Sequence, residues 1–249
     1  MVRLALISDI HGNCIALDAV LADLAGRAVE EVVCLGDVSA GGPQPREVIA
    51  RLRELGCQVV RGNADDWLLG GLPPGRSGET RRLRAAVAWA RDRLTANDCD
   101  YLAALPATLR VTVGQLDLFC FHGSPRANTD SVLPTTPAAE LDRLLADVPA
   151  ARVFASGHTH LQMLRSHRAA LLVNPGSIGL PLGALSAGDP PLPTCAEYAI
   201  VTVGADELEI VHRRLPIDVN ALVAATAAMP HPSWARDLET RIARWNARA

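Results

Sequence analysis

Two histidines on alternate residues, His158 and His160 in the run "GHTH", stand directly after the apolar stretch "ARVFAS". A pair of imidazoles is a corner of a metal site and needs partners from elsewhere in the chain. Four other short polar motifs supply them: Asp9-Ile10-His11, Gly36-Asp37, Gly62-Asn63 and His122-Gly123. Their side chains offer oxygen and nitrogen donors and no thiolate, a set that suits Mn2+, Fe, Zn2+ or Ni2+ in a reactive site better than a structural zinc. Two carboxylates, four histidines and one asparagine are enough ligands for two cations if one carboxylate is shared, and sharing offsets the repulsion between ions ~3.5–4 Å apart. In D-x-H and H-x-H, alternate residues of an extended segment present their side chains on one face. Singly, each motif has a plainer reading, such as a helix cap for Asp9 or turn chemistry for Asp37 and Asn63.

Each motif ends an apolar, strand-like run, where open α/β sheets build their sites. Residues 2–8 read as a strand, 13–25 as a helix capped by Asn13, "EEVVCLG" as a second strand, 44–55 as a helix and "CQVVRGN" as a third strand. This β-α-β-α-β order implies parallel strands with right-handed crossovers. A Gly/Pro-rich loop over 70–80 precedes helices at about 81–93 and 96–105. Hairpins are expected around Gly114–Gln115, around His167–Arg168 and between "EYAIVTV" and "ELEIVHRRL". A helix from Thr136 to about 147, a strand "ARVFASG", a long loop over 174–194 and two helices at 217–227 and 232–246 complete the pattern. The expected fold is α/β, a four-layer α/β/β/α sandwich of two mixed sheets flanked by helices. It forms a single domain over 1–249, with about 64–106 as a cap-like helical and loop insertion near the site.

The composition bounds the function. Hydrophobic residues make up 49% of 249 and charged residues 20%, the balance of a folded globular chain. A net charge of −3 without a basic run argues against nucleic-acid binding. The six cysteines are scattered without C-x-x-C and read as buried thiols. No run approaches a membrane span, and the N-terminus enters a strand pattern without a cleavage region, so a cytoplasmic protein is expected.

The ordered series "SDIHGN … LGD … RGNAD … FHGSP … SGHTH" closely resembles the calcineurin-like metallophosphoesterases, in particular the small prokaryotic phosphodiesterase-type members, which also show a stretch like "VNPGSIG". The resemblance implies that Asp9, His11 and His160 bind one divalent metal, that Asn63, His122 and His158 bind a second, and that Asp37 bridges the two. It implies two metal ions per chain, with Mn2+ favoured and Fe, Ni, Zn or Mg as alternatives. A bridging hydroxide held by Asp37 would attack phosphorus in line with the leaving oxygen, and Asn63 would also contact phosphate. Ala64 departs from the family, which usually carries a histidine there to assist the leaving group, a role worth ~10²–10⁴-fold. Asp65, which would pair with that histidine, is left a supporting role, and Arg126 is a candidate phosphate contact through its planar fork. The expected activity is hydrolysis of phosphoesters, small diesters ahead of monoesters, on a small soluble substrate. The alternative suggested by Ala64 is a weakly active or inactive metal-containing protein that binds a phosphorylated ligand. A mononuclear amide hydrolase would leave Asp37, Asn63 and His122 idle.

Overall fold

In the computed structural model, residues 1–72, 78–180, 194–205, 207–227 and 229 are described. Strand β1 (Val2–Ile7) runs into helix α1 (Cys14–Ala25), whose first turn is closed by Asn13 accepting from the Ala16 N–H at 3.0 Å. Next come β2 (Glu31–Cys34), α2 (Pro45–Leu55) and β3 (Gln58–Val59). Strands β1, β2 and β3 pair in parallel, with Leu6 opposite Val33 and Cys34 opposite Val59. The third strand is shorter than its apolar run suggests. Its backbone leaves the ladder after one further bond, from Val60 N to Cys34 O at 3.0 Å.

Helices α3 (Asn63–Gly70), α4 (Gly78–Arg91) and α5 (Ala96–Ala104) follow, and α4 starts three residues ahead of the expected 81. The hairpin of β4 (Thr108–Val113) and β5 (Leu116–Phe121) turns at Gly114–Gln115, as its alternation indicates. Then come α6 (Ala138–Leu144), which ends short of 147, β6 (Val153–Ala155) and the hairpin β7 (Met163–His167) with β8 (Ala170–Asn174). The last described elements are the hairpin β9 (Cys195–Val203) with β10 (Leu208–Pro216) and helix α7 (Val219–Thr226). The expected helix at 232–246, the loop beyond Leu180 and part of the 70–80 loop lie outside the described residues.

The strand orders are β10-β9-β1-β2-β3 and β4-β5-β6-β8-β7, two mixed five-stranded sheets. Alternate residues along each strand feed different apolar layers. Leu4, Leu6, Val33 and Leu35 of one sheet meet Val111, Leu118, Val153 and Val173 of the other between the sheets. On the outer face of the first sheet, Ala5, Ile7 and Cys34 pack with Leu17, Ile49, Leu68 and Leu102 from the helices. On the outer face of the second, Phe119, Phe121 and Phe154 pack with Leu141 and Leu144 of α6. Three apolar seams make four layers, the expected α/β/β/α sandwich. Each fully buried Leu or Phe contributes about 1.5–3 kcal/mol, so the seams, more than the two- and three-residue ladders of β3 and β6, fix one sheet against the other. That docking sets the carboxyl ends of β1, β2 and β3 beside those of β5 and β6.

Candidate metal centre

The five motifs converge there, but not on extended backbone. Asp9, His11, Asp37, His158 and His160 all have positive φ, between 50° and 66°, and among the described non-glycine residues only Ala28 and Arg168 share that conformation. Alternate residues therefore meet because each turns left-handed after its strand, which corrects the expectation of a shared strand face. Asp and His tolerate this region better than most side chains, yet each such residue costs about 1–3 kcal/mol. The loops that hold them are tied across the sheets: Asp9 N–H donates to Gly36 O (3.0 Å), His11 N–H to Asp37 O (2.9 Å) and Gly157 N–H to His122 O (2.8 Å). Glycine is required at two of these crossings. A Cβ on Gly36 (φ 96°) would lie 2.9 Å from His122 Nδ1, and one on Gly62 would run into the Asp37 carboxylate.

Three imidazoles have their tautomer set by the backbone. Nδ1 of His11 lies 2.8 Å from Ala40 O, Nδ1 of His122 lies 2.6 Å from Leu35 O, and Nδ1 of His160 lies 2.7 Å from Leu180 O. A nitrogen facing a carbonyl must carry the hydrogen, so whenever the ring is neutral its Nε2 turns a bare lone pair inward. These lone pairs crowd together, with His11 Nε2 and His160 Nε2 3.1 Å apart. Asp9 Oδ2 accepts from Ser8 Oγ (2.6 Å) and from His158 N–H (3.1 Å), whereas Asp9 Oδ1 is buried and has no hydrogen-bond partner. Around that oxygen stand Nε2 of His160 (3.2 Å), His11 (3.8 Å) and His122 (3.9 Å). Asp37 Oδ2 lies 3.3 Å from His122 Nε2 and 3.6 Å from His11 Nε2, between the two histidine sets. Its other oxygen accepts the Ala64 N–H at 2.7 Å.

The inward end of the Asn63 amide is 3.1 Å from His122 Nε2 and 2.8 Å from His158 Nδ1. With nitrogen inward it donates to the rings; with oxygen inward it completes a second group of acceptors. Lone pairs and carboxylate oxygens packed at these distances repel unless positive charge lies among them, as protons or as cations. The donor set therefore fits divalent ions, with Asp9, His11 and His160 in one group and Asp9, Asp37 and His122 in an overlapping one.

The electrostatics carry the same message. Burial lowers the proton affinity of His122, but the carboxylates of Asp37 and Asp9 outweigh it and push its pKa up to about 10. His160 is likewise raised against its burial by Asp9. Burial pulls His11 down, and burial together with the His122 charge pulls His158 down. Burial pushes the Asp9 carboxyl up, yet the surrounding imidazoles, His160 foremost, hold it well below the usual carboxylate range. Asp37 is lowered against its burial by His122. The cluster is a well for positive charge. Asp9, Asp37, Asn63 and His122 are buried, while His158, Thr159 and His160 are partly exposed and mark its open side.

Seven of the sequence-derived candidates are thus brought together. Arg126 is not: it is exposed, and its guanidinium donates to Arg143 O of α6 at 3.3 Å. Ala64 is 1% exposed, so position 64 is enclosed as well as lacking an imidazole. Asp65 does more than the motif indicates. Its buried carboxylate accepts N–H groups from Asp37 (3.0 Å), Val38 (2.9 Å) and Gly62 (2.9 Å), pinning the loop that aims Asp37. Burial and the neighbouring Asp37 push its pKa up to about 7, against the pull of those N–H groups. It stands three residues after Gly62, the N-cap of α3, so its bond to the Gly62 N–H is the acidic half of a capping box. Ser8, Asn174 and Ser177 are fully buried against the loops of the cluster; Asn174 and Ser177 lie in the "VNPGSIG" stretch, which the sequence marked without giving either a role.

Comparisons with known proteins agree with this geometry. The chain is 25% identical over 247 residues to "Uncharacterized protein MJ0912" of Methanocaldococcus jannaschii, covering 93% of this chain and 94% of that one. A solved metallophosphoesterase from Sphaerobacter thermophilus matches with a TM-score of 0.72 and 28% identity, over 97% of this chain and 98% of the other. Hypothetical protein PH1004 from Pyrococcus horikoshii shares the fold with a TM-score of 0.78 at 23% identity, over 94% and 96% of the two chains. A family model described as the calcineurin-like phosphoesterase superfamily domain matches residues 2–206, a span that holds every converging side chain. The chain belongs to the calcineurin-like phosphoesterase superfamily.

Proposed function

We propose that the chain hydrolyses small phosphodiesters in preference to monoesters, using two divalent cations, with Mn2+ foremost as the family resemblance implies and Fe, Ni, Zn or Mg as alternatives. Asp9, His11 and His160 hold one ion, Asn63, His122 and His158 the other, and Asp37 lies between them. The observation that carries the reading is Asp9 Oδ1, buried without a donor among three Nε2 lone pairs whose ring tautomers the backbone has set. When bound, the cations supply Lewis acidity, lowering the pKa of a shared water and neutralising phosphoryl charge.

The chain's own residues do the rest. Ala40, Leu35 and Leu180 carbonyls orient the rings, Asp65 holds the Asp37 loop, and the partly exposed His158–His160 edge is the side from which a phosphoryl group would approach. Ala64 has no proton to give a departing oxygen, which favours esters whose leaving oxygen is stable without one. Metal-free protein reconstituted in turn with Mn2+, Fe2+, Ni2+, Zn2+ and Mg2+ should hydrolyse bis-p-nitrophenyl phosphate faster than p-nitrophenyl phosphate. No turnover with any of the five ions overturns the proposal. Ala64 supports one other reading, a metal-containing binding protein for a phosphorylated ligand. That protein would show ligand-dependent stabilisation and no hydrolysis in the same screen.

A further inference from the structure

In the turn after β8, residues 174–180, Asn174 donates to the Gly157 carbonyl of the histidine loop at 2.7 Å, whereas Ser177 reaches Asp9 and, through Leu180, His160. The Ser177 hydroxyl is fully buried and donates to the Asp9 carbonyl at 2.8 Å while accepting the Leu180 N–H at 2.8 Å. The Leu180 carbonyl in turn accepts from His160 Nδ1 at 2.7 Å. One oxygen atom therefore fixes the backbone that aims Asp9 and, one residue removed, the ring of His160. Both of those residues are left-handed, with φ of 53° and 56°, and relax unless the surroundings hold them. The turn itself is firmly anchored. Gly179 N–H and Ile178 N–H donate to Asp9 O and Ser8 O at 2.9 and 3.0 Å, Glu197 N–H donates to Ser177 O at 2.9 Å, and Asn174 Oδ1 accepts Gly176 N–H at 2.9 Å. The other group is held differently, His122 by the Leu35 carbonyl, Asn63 at the start of α3, and His158 through its N–H to Asp9 Oδ2 at 3.1 Å, none of them through Ser177.

We propose that Ser177 is a positioning residue that sets the affinity of the first metal position, formed by Asp9, His11 and His160, independently of the second. The inference rests on the two-metal reading above. Outer partners that orient metal ligands typically govern about 10–100-fold in affinity, and loss of this hydroxyl removes one of the two bonds to the Asp9 carbonyl and the bond that holds the Leu180 N–H.

The test is Mn2+ binding to the metal-free full chain by calorimetry, with electron paramagnetic resonance distinguishing isolated from coupled ions. Wild type should bind two Mn2+, and His160→Ala and Asn63→Ala should each remove one. In the Asn63→Ala background, which keeps the first position, Ser177→Ala should weaken the remaining ion about 10–100-fold. In the His160→Ala background it should leave the remaining ion unchanged. Ser177→Cys, which keeps the volume but hydrogen-bonds weakly, should fall between, and it carries the test if the alanine variant does not fold. Unchanged binding in the Asn63→Ala background, or equal weakening in both backgrounds, overturns the role of Ser177 while leaving two metals in place. Fewer than two Mn2+ on wild type overturns the two-metal reading itself, and the role of Ser177 with it.

Discussion

Two clusters of charged side chains link distant parts of this chain, and they are built on opposite principles. At the first, Asp23 of α1 meets Arg27, Arg213 of β10 and Tyr198 of β9. Arg27 donates at 2.6 and 2.8 Å, Arg213 at 3.0 and 3.3 Å, and the Tyr198 hydroxyl donates as well. Every donor there faces an acceptor, and the hydrogen bonds, Arg27 foremost, hold the Asp23 carboxyl well below its usual range. At the second, Asp9, Asp37 and the histidines crowd their carboxylate oxygens and ring nitrogens together with no Lys or Arg among them, and one buried oxygen has no hydrogen-bond partner. A satisfied cluster staples a helix to a sheet. An unsatisfied one, kept that way by strained backbone, holds a place for something the chain does not itself contain.

The largest expected effect that separates the two is on turnover. Asp37→Asn or His122→Ala should lower kcat/KM for bis-p-nitrophenyl phosphate by about 10³-fold or more, since each removes charge or a donor from the reacting centre. Asp23→Ala should leave kcat/KM unchanged and cost about 1–3 kcal/mol in denaturant unfolding, the scale of hydrogen bonds to a charged group. A loss of turnover in Asp23→Ala matching that of Asp37→Asn would erase the distinction.

A smaller effect appears in pH dependence. His122 in the metal-free fold keeps its proton up to about 10, whereas an ordinary histidine loses it near 6.5. Metal uptake must expel that proton, so apparent affinity should rise about tenfold per pH unit between pH 7 and 9. Calorimetry at pH 8 in buffers of different ionisation enthalpy should show at least one proton released per chain. No release at that pH would mean the imidazoles are already neutral and the cluster is less starved of positive charge than its geometry indicates.

The smallest effect concerns Ala64. Because that position is enclosed, Ala64→His should cost about 1–3 kcal/mol by overpacking without raising monoester hydrolysis. A gain in monoester turnover would show that the site accepts the missing imidazole.

The convergence of the seven candidate side chains was legible in the sequence because each stands at the end of an apolar run, mostly beside a glycine. The three hairpins were legible through period-two alternation and their turn residues. The left-handed backbone at five ligand positions was not, because Asp and His carry no spacing signal for φ, and the D-x-H and H-x-H patterns suggested an extended segment instead. The supports escaped for another reason. Ser177 acts on Asp9 across 168 residues and Asn174 on the Gly157 carbonyl across 17, through single hydrogen bonds that leave no periodic trace. Arg126 shows the converse, a residue with suitable chemistry in a suitable motif that the 124–130 turn directs toward α6.

The left-handed contact of His158 N–H with Asp9 Oδ2 spans 149 residues and crosses from one sheet to the other. Only Asp9 with His11 and His158 with His160 are neighbours in sequence, so the loop-closure entropy of nearly the whole sandwich must be met before the complete cluster exists. A cation that binds here should therefore act as a clock for folding. It should report the moment at which the seam between the sheets closes, slow unfolding more than it speeds folding, and leave the early collapse of either sheet untouched.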